Sequence, residues 1–375
     1  MSDVKRRLVD IPSLDGLRAI SIMIVFVSHA GYSSVPGGLG VSIFFVISGF
    51  LITTLLRIEA DTYGHISLRE FYIRRAFRIL PIFYVVLCLG LLALAVGVLP
   101  GGPADAGPTT SQFLHYFNFY AITHSGYELV PGTGVYWSLA IEEHFYVVFP
   151  VLVVLLYRFG FSHLRQGVVL LVGCAVVLAW RLFLVYDQNV EVLRTYYGTD
   201  TRLDGLLFGC AAALIAHPVL DRRRDNAGDR EPSPWANWPV GLAGLIVILM
   251  TLLFRDDGFR ETTRYTIQSI AIVACLRYAV AADLTSPVSR LLNARPVAWF
   301  GRMSYGFYLV HQIVIAGLEE HVHSTPVIIA ITFVLSSAAA WALHIVVERP
   351  VGRLRSRVLR ARTPRIALAA PSRPS

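Results

Sequence analysis

Residues 13–31 read SLDGLRAISIMIVFVSHAG. The stretch is apolar enough and long enough to cross a bilayer, which takes about 17–25 residues. Yet it carries Arg18 near one end and His29 near the other. They are eleven residues apart, about three turns plus 20°, so a helix puts both on one face. Along the axis they are separated by about 16 Å. A basic start precedes the run and no small-residue cleavage site follows it. It therefore reads as a retained span and not as a signal peptide.

Nine further runs repeat the pattern, near 38–57, 79–99, 135–157, 167–186, 203–217, 238–254, 265–282, 303–319 and 327–347. Apolar residues make up 55 % of the 375, and charged residues only 15 %. A typical soluble domain carries about 25 % charge. With a mean hydropathy of +0.58, the expectation is an all-α integral membrane protein, a bundle of about ten transmembrane helices. Its four cysteines lie unpaired within apolar runs, which supports neither a disulfide framework nor a metal site. The net charge of +8 does not indicate nucleic acid. The basic residues fall between apolar runs and form no basic module.

Their placement orients the bundle instead. If the N-terminus is inside, 26 of the 33 Lys and Arg lie on the inner side and five on the outer. That bias puts both termini in the cytoplasm. Residues 97–136 contain no Lys or Arg. The stretch 111–124 is too short and polar for a span, so 100–134 is expected as one long outer loop. Residues 1–350 read as a single transmembrane domain. Residues 351–375 are basic, with three prolines, and are expected as a disordered cytoplasmic tail on the inner leaflet. No fused outer domain is expected.

Ionisable groups inside spans are suspects for function. SLREFYIRRAFRILP, residues 67–81, sets Arg74, Arg75 and Arg78 among Phe71, Ile73 and Phe77. It reads as an amphipathic helix on the inner surface. It would hold lipid headgroups or dock a phosphorylated ligand, since the guanidinium fork matches phosphate. YWSLAIEEHFY, residues 136–146, brings Glu142, Glu143 and His144 into an apolar helix. At 100° per residue at least one carboxylate must face the bundle. MSYGFYLVHQIV places Ser304, Tyr308 and His311 on one stripe. RLDGLLFG brings Arg202 and Asp204 to the outer mouth, where a local ion pair is the plain alternative. GGLGVSIFFVISGFLI puts small residues where helices pack closely.

In order and spacing these segments, with IVVERP at 345–350, resemble the membrane-bound acyltransferase family 3. These are integral-membrane O-acyltransferases of sugars and secondary metabolites. The resemblance implies that Arg18 and His29 form the family's Arg–ten residues–His signature. Arg75 and Arg78 fit its basic Arg-x-x-Arg motif. Trp137, Ser138, Leu139 and Glu142 or Glu143 fit its Trp-Ser-Leu…Glu segment.

The function that follows is transfer of an acyl group, most simply acetyl, from cytoplasmic acyl-CoA to a sugar hydroxyl. Acyl-CoA is a co-substrate, and neither cofactor nor metal is expected. Arg18, Arg75 and Arg78 would hold the donor phosphates while the pantetheine arm threads the bundle. His29 would act as general base, with Glu142 and Glu143 as catalytic partners. A covalent acyl-histidine is the alternative course. Asp204, Tyr308 and His311 are candidates for the acceptor site. The acceptor would be a membrane-tethered glycan or glycolipid, ahead of a macrolide-like metabolite. A transporter with an intramembrane proton relay is the rival class, but neither an inverted repeat nor a pair of broken helices is visible.

Overall fold

The computed structural model describes residues 11, 13–32, 34–221 and 237–360. Among them there is no strand. In chain order the helices are α1 (Leu14–His29), α2 (Gly37–Tyr63), α3 (Leu68–Ala95), α4 (Ala106–Phe113) and α5 (Phe117–Thr123). A 3₁₀ turn, Thr133–Tyr136, leads into α6 (Trp137–Arg158). Then come α7 (His163–Tyr186), α8 (Val192–Tyr197), α9 (Thr199–Leu214), α10 (Trp238–Leu253), α11 (Asp257–Glu261), α12 (Thr263–Ala281) and α13 (Pro287–Leu292). The last are α14 (Arg295–Glu319), α15 (Thr325–Leu343), a π-helical stretch at His344–Glu348, and α16 (Arg349–Arg360).

Each of the ten apolar runs falls largely within a helix. Among the described residues five segments are long and apolar enough to cross a membrane unaided: Gly37–Tyr63, Leu68–Ala95, Thr133–Arg158, His163–Tyr186 and Thr325–Leu359. The others are shorter or more polar. At 16 residues α9 is about 24 Å long, against a hydrocarbon core of about 30 Å. It lies inside the bundle, with most of its side chains buried, so it needs no apolar outer face. Of the five long helices α2 is itself largely buried, and the other four meet the surroundings. Leu89, Leu92, Val147, Val148, Val172 and Val334 are all exposed, a belt that suits lipid and not water. The protein is an all-α membrane protein.

Packing fixes which helices build the interior. The closest pairs are α2 with α9, α10 with α12, α7 with α9, and α1 and α15 with α14. Gly49 of α2 and Gly209 of α9 set the first of these. A methyl group on either would strike a backbone carbonyl of the facing helix, Leu206 or Val46. This is the small-residue approach that helices in lipid rely on. Around it Ile22, Phe26, Phe45, Phe83 and Phe307 form a sealed core.

The amphipathic stretch 67–81 is helical, and it runs without a break into the third span. Ser67 caps α3 by accepting from the Glu70 N–H at 3.3 Å. Pro81 lies inside the helix, where it removes one backbone donor. Burial of Phe71, Ile79, Ile82 and Phe83 on either side holds the helix together. In the long loop α4 and α5 span only eight and seven residues, too short to cross. Phe117 and Ala121 anchor α5 to the bundle. The boundary expected at 350 falls inside α16, so residues 351–360 of the tail expected as disordered are helical; residues 361–375 lie outside the described residues.

Candidate functional site

A cavity opens between α1, α2, α3, α6 and α14, with Arg302 and Glu348 at its mouth. Arg18, Arg75 and Arg78 all line it. The helical period sorts the arginine run of α3. Arg74 turns aside and pairs with Glu59 at 2.6 Å and Glu70 at 3.0 Å. Arg75, about 100° further round, lies with its guanidinium 4.6 Å from the centre of the Tyr146 ring. Arg78 follows one turn later and is open to the cavity. Among the described residues neither Arg75 nor Arg78 has an ion-pair partner within 4 Å. Arg18 has only a 3.3 Å contact to Asp15, which Arg302 also approaches at 3.5 Å.

Further in, Glu142 reaches the cavity and Glu143 is not among the lining residues. Glu142 accepts from the Tyr146 hydroxyl at 3.1 Å, and that hydroxyl meets Ser48 at 2.5 Å. The deep end is closed by Ser138 and Tyr308, whose hydroxyls are 2.7 Å apart. The Tyr308 hydroxyl also donates to the Val135 carbonyl at 2.6 Å.

Beyond this layer sits a pair of histidines. His29 Nδ1 and His311 Nε2 are 3.0 Å apart, and the two rings are within 9° of parallel. His311 Nδ1 lies 2.8 Å from the Tyr308 carbonyl. His311 is fully buried, and its ring meets those of Phe26 and Phe307. His29, at the helix end, is only partly buried. It does not line the arginine cavity. Tyr308, one turn before His311, stands between them.

Asp204 lies elsewhere. Arg181 of α7 takes both its oxygens, at 3.0 and 2.7 Å, and Thr266 donates to it at 2.9 Å. Both ionic partners are buried, so Asp204 presents no free oxygen to a ligand. Arg202 does not pair with it. Its guanidinium lies 3.9 Å from the centre of the Tyr265 ring.

Residues 11–345, covering the histidine pair and every residue lining the cavity except Glu348, match the family described as an acyltransferase domain. The chain belongs to the acyltransferase 3 family. A peptidoglycan O-acetyltransferase of Listeria monocytogenes is 29 % identical over 320 residues, 81 % of this chain and 49 % of that protein. A Bacillus subtilis protein provisionally named a peptidoglycan O-acetyltransferase is 32 % identical over 327 residues, 84 % of this chain and 49 % of its own. The chain thus spans about half the length of these relatives. No solved structure matches it significantly.

For this acyltransferase-family chain the sequence missed several lining residues. Tyr146 was within reach, since it stands four residues after Glu142 on the same helix face. Glu348 lies in the IVVERP segment. Ser48 and Tyr305 had no signal of their own. Ser48 reads as a small packing residue, and Tyr305 enters by donating to the Ile79 carbonyl of another helix at 3.1 Å.

Proposed function

We propose that the protein is a transmembrane O-acyltransferase that moves an acetyl group from cytoplasmic acetyl-CoA to a sugar hydroxyl of a cell-wall or lipid-linked glycan. One observation carries the reading. Arg75 and Arg78 line a cavity of the bundle without carboxylate partners among the described residues, and a cation in such a place calls for an anion. The phosphates of a coenzyme A thioester supply it. Their number and geometry suit guanidinium forks. The relatives' names support acetyl as the group and a wall glycan as the acceptor.

In this reading the donor enters at Arg78 and Arg302, and its thin arm runs past Glu142 toward Tyr308. The side chain of Tyr308 must shift for the thioester to meet His29. Neutral His29 takes the proton of the acceptor hydroxyl as that oxygen attacks the thioester carbon. The carbon–sulfur bond breaks, and the thiolate recovers the proton from the imidazolium. Glu142, held by Tyr146, orients groups in the cavity. The arginine bias places the Arg78 end in the cytoplasm and the His29 end outside.

Purified protein in vesicles with labelled acetyl-CoA and a lipid-linked glycan tests this. His29→Ala is expected to lower kcat by about 10²–10⁴-fold, the usual worth of a general base. Near-normal turnover in correctly inserted His29→Ala would remove His29 from the chemistry and shift it to Glu142. For orientation, Asp105→Cys in a cysteine-free background should label from outside and His65→Cys only after lysis. The reverse pattern inverts the map.

A further inference from the structure

We infer that His311 is a positioning residue, which holds the proton of His29 on Nδ1 and so leaves Nε2 free to act. The inference rests on the proposed role of His29 as base, and it comes from the partners of two rings. A carbonyl oxygen can only accept. The Tyr308 carbonyl, 2.8 Å from His311 Nδ1, therefore requires a hydrogen on that nitrogen. A neutral imidazole carries one N–H, so His311 Nε2 has a lone pair. That lone pair meets His29 Nδ1 at 3.0 Å, and His29 must donate there. Its own lone pair is then on Nε2, which has no hydrogen-bond partner among the described residues and stands at the open end of α1.

The carbonyl that starts this chain is itself fixed. It is backbone within α14, so the helix holds it in place even when the Tyr308 side chain moves. The His311 ring is clamped between aromatic neighbours and has no exposed surface, an apolar setting suited to a neutral ring. The order of roles is that of a catalytic base oriented by a third group, with a neutral imidazole where a carboxylate often stands. When His29 takes a second proton, the bond to His311 becomes charge-assisted and strengthens. Without His311, no described group accepts from His29 Nδ1.

The test joins kinetics to nitrogen-15 NMR of histidine-labelled protein in vesicles, the His29 signals being assigned by their loss in His29→Ala. The wild-type spectrum should show His29 protonated at Nδ1. His311→Leu, which suits the apolar surroundings, should lower kcat by about 10²-fold, the cost of a misplaced catalytic group. Its donor KM should stay unchanged, because no arginine is touched. His311→Gln should recover most of the activity, since its amide oxygen can accept where Nε2 did. Wild-type His29 protonated at Nε2 overturns the inference whether or not the His311 variants fold. So does full turnover of His311→Leu while His29→Ala is inactive, and in that case the base survives alone. Turnover by His29→Ala instead removes the base, which is a separate failure.

Discussion

Arg181 and Arg75 are both arginines drawn into the interior of a membrane bundle, and their surroundings are opposite. Arg181 has no exposed surface. It is matched by both oxygens of Asp204, by the Thr201 carbonyl and by Thr266. Arg75 faces a cavity, lies over an aromatic ring and has no carboxylate within ion-pair range among the described residues. In the first the charge is matched by a buried carboxylate, so it holds helices together. The second lacks an anion, so it can bind one. An ionisable residue within the membrane is a suspect for function, and its partners decide whether the suspicion holds.

The largest effect is expected from breaking the complete pair. Asp204→Ala leaves Arg181 buried without a counter-charge, which costs about 3–5 kcal/mol. Thermal unfolding in detergent should show a large drop in Tm, with little folded protein left to assay. A stable, active Asp204→Ala protein would end the contrast and return Asp204 to the site.

The opposite pattern is expected on the other side. Arg75→Ala with Arg78→Ala should leave Tm nearly unchanged, because no ion pair is lost. The donor KM should rise by about one to two orders of magnitude, the worth of one charged hydrogen bond to phosphate. Unchanged donor dependence would make these arginines lipid anchors. Replacing both with Lys sharpens the point. The charge stays but the fork is lost, so KM should rise only by a factor of a few, roughly what a fraction of one such bond supplies.

The smallest effect comes from a third kind of site, a buried base that stays neutral. His115, in the loop between α4 and α5, has its Nε2 buried without a hydrogen-bond partner. Burial, and then the neighbouring His144, push its pKa down from 6.5 to about 4. The unfolded chain therefore binds this proton first. The stabilising contribution is whole above pH 6.5 and is lost as pH falls from there toward 4. Tm should decline over that window, and His115→Gln should flatten the decline. An equal slope in the variant would place the acid sensitivity elsewhere.

Much of this is legible in the amino-acid sequence. The ten apolar runs are ten helices, since apolar length is a property of each segment. The turn between Arg74 and Arg75 could not be assigned, because both suit an amphipathic surface. The family motif points to Arg75, and packing against Glu59 on one side and Tyr146 on the other supplies the physical reason. Glu142 and Glu143 were left undivided for the same reason. Asp204 was read with Arg202, two residues away. Its partner is Arg181, which comes from α7 across the interior.

The sequence by itself determined that this chain lives in lipid, where its helices lie, and that Arg18 and His29 share one helix face. Those properties repeat every 3.6 residues and need no neighbour to define them. Tertiary structure decided which charges are satisfied and which are open. It also brought His29 to His311, 282 positions further along. Such pairings depend on distances between helices, and a helix carries no local record of the partner that will face it.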